Sequence, residues 1–233
     1  MKKLSFAIVI MLISITYCNA QDNMNSGKQY DNFAGVQVNN LIKQLLSNNT
    51  TATNNPYSLI YSINSRASGW GFRAGVGYNN NNSSSASLNS TSSTNGTGFQ
   101  LRAGVEKAWK LSKRWSTGSG LDFVYRYSNT SSTNDYFGSD SSANTVKNIT
   151  SSYGGGPMAW LRYSITDRIL VGTEASFYYT AGNTNQTSQF SHFVVDTTSP
   201  TGMKYITTNN KINQSISSGG FQSPIVFFLM IKF

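Results

Sequence analysis

The sequence predicts an all-β fold, an eight-stranded antiparallel up-and-down transmembrane β-barrel, on three observations. Apolar and aromatic residues recur at every second position through several runs of about 10 to 15 residues. The intervening positions of those runs carry glycine and a large part of the few charged residues. Connections between runs alternate between tight polar turns and long Asn/Ser/Thr stretches, the rhythm of a meander whose two ends differ.

Composition narrows the alternatives. The chain has 233 residues, 38% hydrophobic, 13% aromatic and only 12% charged, the last about half the usual fraction of about 25%. Its mean hydropathy of −0.31 therefore comes from uncharged Asn, Ser, Thr and Gln. No run beyond the N-terminal segment approaches the roughly 20 apolar residues of a membrane helix. One His and one Cys leave little for zinc ligation, histidine-based catalysis or disulfides, so no metal and no cofactor is expected.

Residues 1–20 read as a secretory signal peptide and residues 21–233 as one barrel domain. Lys2 and Lys3 form the positive region, residues 4–17 an apolar stretch too short to span a bilayer, and Cys18-Asn19-Ala20 a small-residue cleavage site before Gln21. A rival reading makes Cys18 a lipidated N-terminal residue, although Tyr17 stands where lipoprotein signals carry Gly, Ala or Ser. Loss of the leader removes the sole cysteine and lowers the formal charge of +9 by two. The remaining positives are scattered singly, and export argues against nucleic acid as a partner.

The runs fall at 32–46, 56–65, 70–79, 98–111, 115–128, 151–165, 169–181 and 216–233. The first is the weakest, because its alternation slips at Asn39-Asn40. In the third, Trp70, Phe72, Ala74, Val76 and Tyr78 separate from Gly71, Arg73, Gly75 and Gly77. In the fourth, Phe99, Leu101, Ala103, Val105, Trp109 and Leu111 share a face with one exception, Lys107, while Gln100, Arg102, Gly104, Glu106 and Lys110 lie opposite. The fifth sets Leu121, Phe123, Tyr125 and Tyr127 against Gly118, Gly120, Asp122, Val124 and Arg126. The sixth places Trp160 and Arg162 inward, and the seventh sorts Ile169, Val171, Ala175, Phe177 and Tyr179 away from Gly172, Glu174 and Ser176. Side chains alternate across a strand, so each segment offers one greasy and one polar surface. Residues 66–69, 112–114 and 166–168 are the tight turns. The Asn/Ser/Thr stretches 79–98, 129–152 and 182–210 are expected to be solvated loops.

A soluble barrel would enclose the apolar face. Here the polar faces carry Arg73, Arg102, Glu106, Asp122, Arg126, Arg162 and Glu174 among glycines, a composition suited to a narrow lumen. The apolar faces begin and end in aromatics: Trp70, Trp109, Trp115 and Tyr163 at the short-turn end, and Tyr57, Tyr78, Phe99, Tyr127, Tyr153 and Tyr179 at the long-loop end. Two aromatic girdles around an aliphatic band match the two interfaces of a bilayer.

The last run ends on Phe233, with Ile225, Phe227, Leu229 and Ile231 on the same face. Here the chain resembles the outer-membrane β-barrel proteins of Gram-negative bacteria, whose final strand ends in Phe. More narrowly it is similar to the small eight-stranded barrels of the OmpA/OmpX/OmpW kind, in the Asn-rich style of Bacteroidota. The resemblance covers nearly all of 21–233, as pattern rather than motif. It implies a location in the cell outer membrane, surroundings of outer-membrane lipid and lipopolysaccharide, and Phe233 as the signal read by the barrel-assembly machinery. Periplasmic termini and long external loops are implied with it.

Eight strands enclose a space just wide enough for side chains to fill it. The seven inward charges are therefore expected to form a salt-bridged plug, with Gly118, Gly120 and Gly172 making room for Trp160. The function expected is structural or surface-interacting and non-enzymatic. The alternative is a narrow porin-like channel with an arginine-weighted lumen. Third is a lipid A-modifying enzyme built on Ser191, His192 and Asp196, which all lie in one expected loop, a poor setting for an oriented nucleophile and base. The Asn/Ser/Thr loops, with Tyr136 and Tyr205, suit adaptable hydrogen bonding to an unidentified external ligand.

Overall fold

Eight segments with one apolar and one polar face can satisfy both faces and every backbone group by curling into a closed sheet. The computed structural model describes residues 29–38, 59–137, 142–195, 198 and 203–233. Its strands are β1 (Tyr30–Gln37), β2 (Leu59–Ser65), β3 (Trp70–Ser87), β4 (Ser90–Lys110), β5 (Trp115–Tyr136), β6 (Ser142–Ser164), β7 (Ile169–Val195) and β8 (Met203–Lys232). Each pairs antiparallel with the next, and β1 pairs with β8, which closes the ring. The leader, residues 39–58 with Tyr57, and Asp196 lie outside the described residues.

The strands are staggered around the ring. A row of directly opposed residues starting at Gly35 runs through Ile60, Gly75, Arg102, Val124, Gly154 and Thr180 to Ser218 on β8. Gly35 itself pairs with Met230, well along β8 from Ser218. A closed sheet with such an offset has tilted strands, so a side chain's spatial neighbours are not those of its own row.

The three expected tight turns are present. Gly69, after the turn between β2 and β3, has φ 72°, and a Cβ there would come within 2.5 Å of the Ala108 carbonyl oxygen. Only glycine accepts both conditions without strain.

Much of the sequence expected as solvated loop is strand. β3 runs to Ser87 and β4 starts at Ser90, so the stretch 79–98 is a hairpin turning on Leu88-Asn89. β5 to β8 extend likewise, with pairing continuous from Tyr136↔Ser142 to Ser142↔His192 and out to Val195↔Met203. Matched short side chains hold the extension across strands: the hydroxyls of Thr94 and Ser132 (3.1 Å), Thr150 and Thr184 (2.9 Å), and Ser191 and Thr207 (2.9 Å) are hydrogen-bonded. Polar residues dominate both faces of these segments, with only scattered apolar ones such as Phe190 and Ile212, so they extend the ladder without a regular hydrophobic alternation.

Two irregularities meet on β7. Pairing with β6 steps from Gly155↔Tyr179 to Met158↔Ser176 around Pro157, which has no N–H to donate. On its other side the register shifts between Glu174↔Val226 and Ser176↔Gln222, leaving residues 223–225 of β8 opposite Ala175. That is a bulge.

The sorting of faces is sharp. Arg102, Asp122 and Glu174 retain 3%, 4% and 7% of their accessible surface and Glu106 none, while Leu121 and Phe123 retain 61% and 57%. Charge is enclosed and hydrocarbon is outside.

Candidate functional site

The enclosed side chains meet at mid-ring in one ionic cluster. Arg73 of β3 is central: its guanidinium lies 2.5 Å from Glu174, 3.4 Å from Asp122 and 3.8 Å from Glu106. Arg102 of β4 hydrogen-bonds both carboxylate oxygens of Glu174 and lies 3.7 Å from Asp122. Arg162 of β6 approaches Glu106 at 3.9 Å, donates to the Ser62 hydroxyl at 3.2 Å and stacks on the Trp160 ring. Three guanidinium groups thus face three carboxylates. In a medium stripped of water such groups are tolerable only when paired and hydrogen-bonded, and this set is nearly neutral as a unit.

Neutral side chains complete it. Asn64 Nδ2 donates to Glu106 Oε1 (2.9 Å) and Trp160 Nε1 to Glu106 Oε2 (2.8 Å). The Tyr178 hydroxyl donates to Asp122 (2.6 Å), and Arg73 reaches the Met158 sulfur (2.7 Å). Glycines set the spacing. A Cβ on Gly118 would strike the Trp160 ring, one on Gly104 the Asp122 carboxylate, and one on Gly75 would sit 2.6 Å from Arg102 Nε. Gly120 and Gly172 abut Met158 and Arg162. Apolar layers bound the cluster: Phe33, Leu170, Phe228 and Met230 on one side, Val124 and Tyr178 on the other. Toward the short turns the interior opens into a basin of about 900 Å³ whose lining includes Asn64, Trp160 and Arg162.

Six of the seven expected inward charges are in this cluster. Arg126 is not: it is half-buried, and among the described residues it has no carboxylate partner. Asn64, Ser62, Met158 and Tyr178 were missed as members. Tyr178 continues the inward parity of Gly172, Glu174 and Ser176, so alternation carried that signal. Nothing local marks Asn64 or Ser62, whose partners are chosen by the stagger.

The described girdle residues face outward. Trp70, Trp109, Trp115, Tyr78, Phe99, Tyr153 and Tyr179 are exposed, and Tyr127 and Tyr163 half-buried. Cross-strand partners touch, Phe99 stacked on Tyr127 at 5.4 Å and Trp115 tilted against Tyr163 at 4.9 Å. Lys107, the exception on its face, lies 5.3 Å from the Trp70 ring and bonds the Ser68 carbonyl, which carries its ammonium to the turn. Phe233 bonds the Asn32 carbonyl through its N–H at 3.1 Å.

Ser191 and His192 lie in β7, not in a loop. Successive strand residues face opposite sides, so the hydroxyl and imidazole diverge. Ser191 is bonded to Thr207 and His192 is stacked on Phe190 at 5.1 Å. No cluster of three or more His, Cys, Asp or Glu side chains that could hold a metal occurs among the described residues. No protein family matches the chain, and no curated protein does.

Proposed function

We propose that the chain is a transmembrane β-barrel of the cell outer membrane, plugged by its own side chains, with a structural or surface-interaction role rather than an enzymatic one. The observation that carries this reading is the inversion of faces: ionic groups enclosed, and a belt of Phe72, Val105, Leu121, Phe123 and Phe177 exposed between aromatic rows. Such a belt in water would be an apolar area far larger than soluble monomers leave uncovered. In a bilayer it is the surface that inserts. The plug reading is supported by the neutral cluster spanning the interior, whose ion pairs would have to be broken for a solute to pass.

The test is electrophoretic mobility of protein folded in detergent or vesicles, boiled against unboiled. A closed membrane barrel resists the detergent and migrates differently until boiled. Identical mobility, with solubility in plain buffer, would refute the membrane reading. Conductance across a planar bilayer tests the plug separately, and steady openings would replace it by the narrow channel. Lipid A from cells with and without the protein is expected to have the same mass. The surroundings proposed are outer-membrane lipid and lipopolysaccharide, and Phe233 is proposed to engage the barrel-assembly machinery.

A further inference from the structure

We infer that Arg126 is the base of an anion-binding site in the concavity above the plug, suited to a carboxylated or phosphorylated polyhydroxyl compound such as an acidic sugar. Four arginines, Arg73, Arg102, Arg126 and Arg162, point inward from the strands, but the cluster holds only three carboxylates, all engaged by the other three arginines. Arg126 lies four residues beyond Asp122 on β5, roughly 13 Å along the strand. The remaining described carboxylates lie elsewhere. Asp31 is held by Arg66 and Lys232, Asp167 is in the turn between β6 and β7, and Asp135 is on the opposite face of β5 from Arg126. A guanidinium partly withdrawn from water with no counter-charge is poised to take one from solution.

The neighbouring atoms point to the kind of anion. Arg126 is flanked in its row by Gln100 of β4 and Ser152 of β6. Arg126 Nε and Gln100 Oε1 are both buried without a hydrogen-bond partner, one a donor and the other an acceptor. Both atoms are closed off from solvent, so an anion would be taken by the outer nitrogens of the half-buried guanidinium, whose fork fits a carboxylate or phosphate. The next inward row adds the hydroxyls of Ser128, Thr150 and Thr184. These residues are half-buried, in contrast to the buried cluster below, so solvent reaches them from the side of the strand extension.

The inference rests on the plug closing the interior beneath Arg126, which the conductance measurement judges on its own. The test uses the full folded chain in detergent, titrated calorimetrically with glucuronate, glucose 6-phosphate and neutral glucose. Saturable binding of glucuronate or glucose 6-phosphate, absent for glucose and at least about 10-fold weaker in Arg126→Gln, is expected. Whichever probe binds more tightly identifies the charged group as carboxylate or phosphate. Arg126→Lys keeps the charge but loses the fork, and is expected to bind between the two. Arg126 is outside the ionic cluster, so all variants should retain the folded gel mobility. No saturable binding by the wild-type chain, equal binding of glucose, or undiminished binding by folded Arg126→Gln would each overturn the site.

Discussion

Replacing Glu174 by Gln keeps the shape and removes one of the three enclosed negative charges. Two guanidinium groups depend on it: Arg73 at 2.5 Å, and Arg102 through both carboxylate oxygens. The nearest remaining carboxylate, Asp122, is 3.4 Å from Arg73 and 3.7 Å from Arg102. Breaking one partner out of a buried ionic set costs about 3–5 kcal/mol, chiefly because the surviving charge is stranded. That is a large share of the roughly 5–15 kcal/mol typical of a folded domain, and about two to four orders of magnitude in the folding equilibrium. Arg102→Met removes a positive charge and is expected to cost a similar amount. The double substitution restores neutrality, so it should lose less than the sum of the two, by at least about 1.5 kcal/mol. The assay is urea unfolding of vesicle-inserted protein followed by gel mobility and fluorescence. A loss below about 1 kcal/mol for Glu174→Gln, or strict additivity in the cycle, would mean that the groups are hydrated and the interior open. The reasoning behind the plug would then be wrong.

Phe123→Arg, on the exposed face of β5, should destabilise the inserted protein by about 2–4 kcal/mol if that face meets lipid. A change within about 0.5 kcal/mol in the same urea titration would indicate that it faces water. Gly118→Val forces a branched side chain into the Trp160 ring and the neighbouring backbone, so the temperature that unfolds the unboiled band should fall, for a loss of about 1–3 kcal/mol. An unchanged temperature would show that the Trp160 pocket is not tightly packed. Backbone amides of residues 90–98, paired on both sides by β3 and β5, should exchange with deuterium at least about 100-fold more slowly than an open chain, an opening free energy of about 2–3 kcal/mol. Exchange at the open-chain rate would restore the loop reading of that stretch.

The ring was legible where chemistry alternates. Trp70 to Tyr78, Phe99 to Trp109 and Leu121 to Tyr127 each announce a strand and name its two faces, because hydrocarbon and charge differ enough to mark every second position. Beyond Asn79 the signal fades. A run such as Asn81-Asn82-Ser83-Ser84 has the same polarity on both faces, and asparagine and serine are commoner in turns than in strands. Only its neighbours show that it is paired. The turn at Leu88-Asn89 lacks the glycine that usually marks a two-residue hairpin. The candidate site was legible in part. Parity placed Arg73, Arg102, Glu106, Asp122, Arg162 and Glu174 inside, but which charge meets which depends on the offset accumulated around eight strands. Arg126 shares its parity with Asp122 but lies four residues further along β5, and the offset brings Asn64 to Glu106 across 42 positions of sequence.

The proline gap and the bulge fall within three residues of each other on β7, so this strand has a gap in its pairing on each side, at Ala175 next to Glu174 toward β8 and at Phe177-Tyr178 toward β6. Both of its seams are therefore interrupted close to the enclosed charges. Parting them would withdraw the carboxylate that holds two arginines and the phenol that anchors Asp122. Rupture of the wall at this strand and collapse of the proposed stopper inside it are thus a single event, and the protein should have no state in which these staves part around an intact stopper.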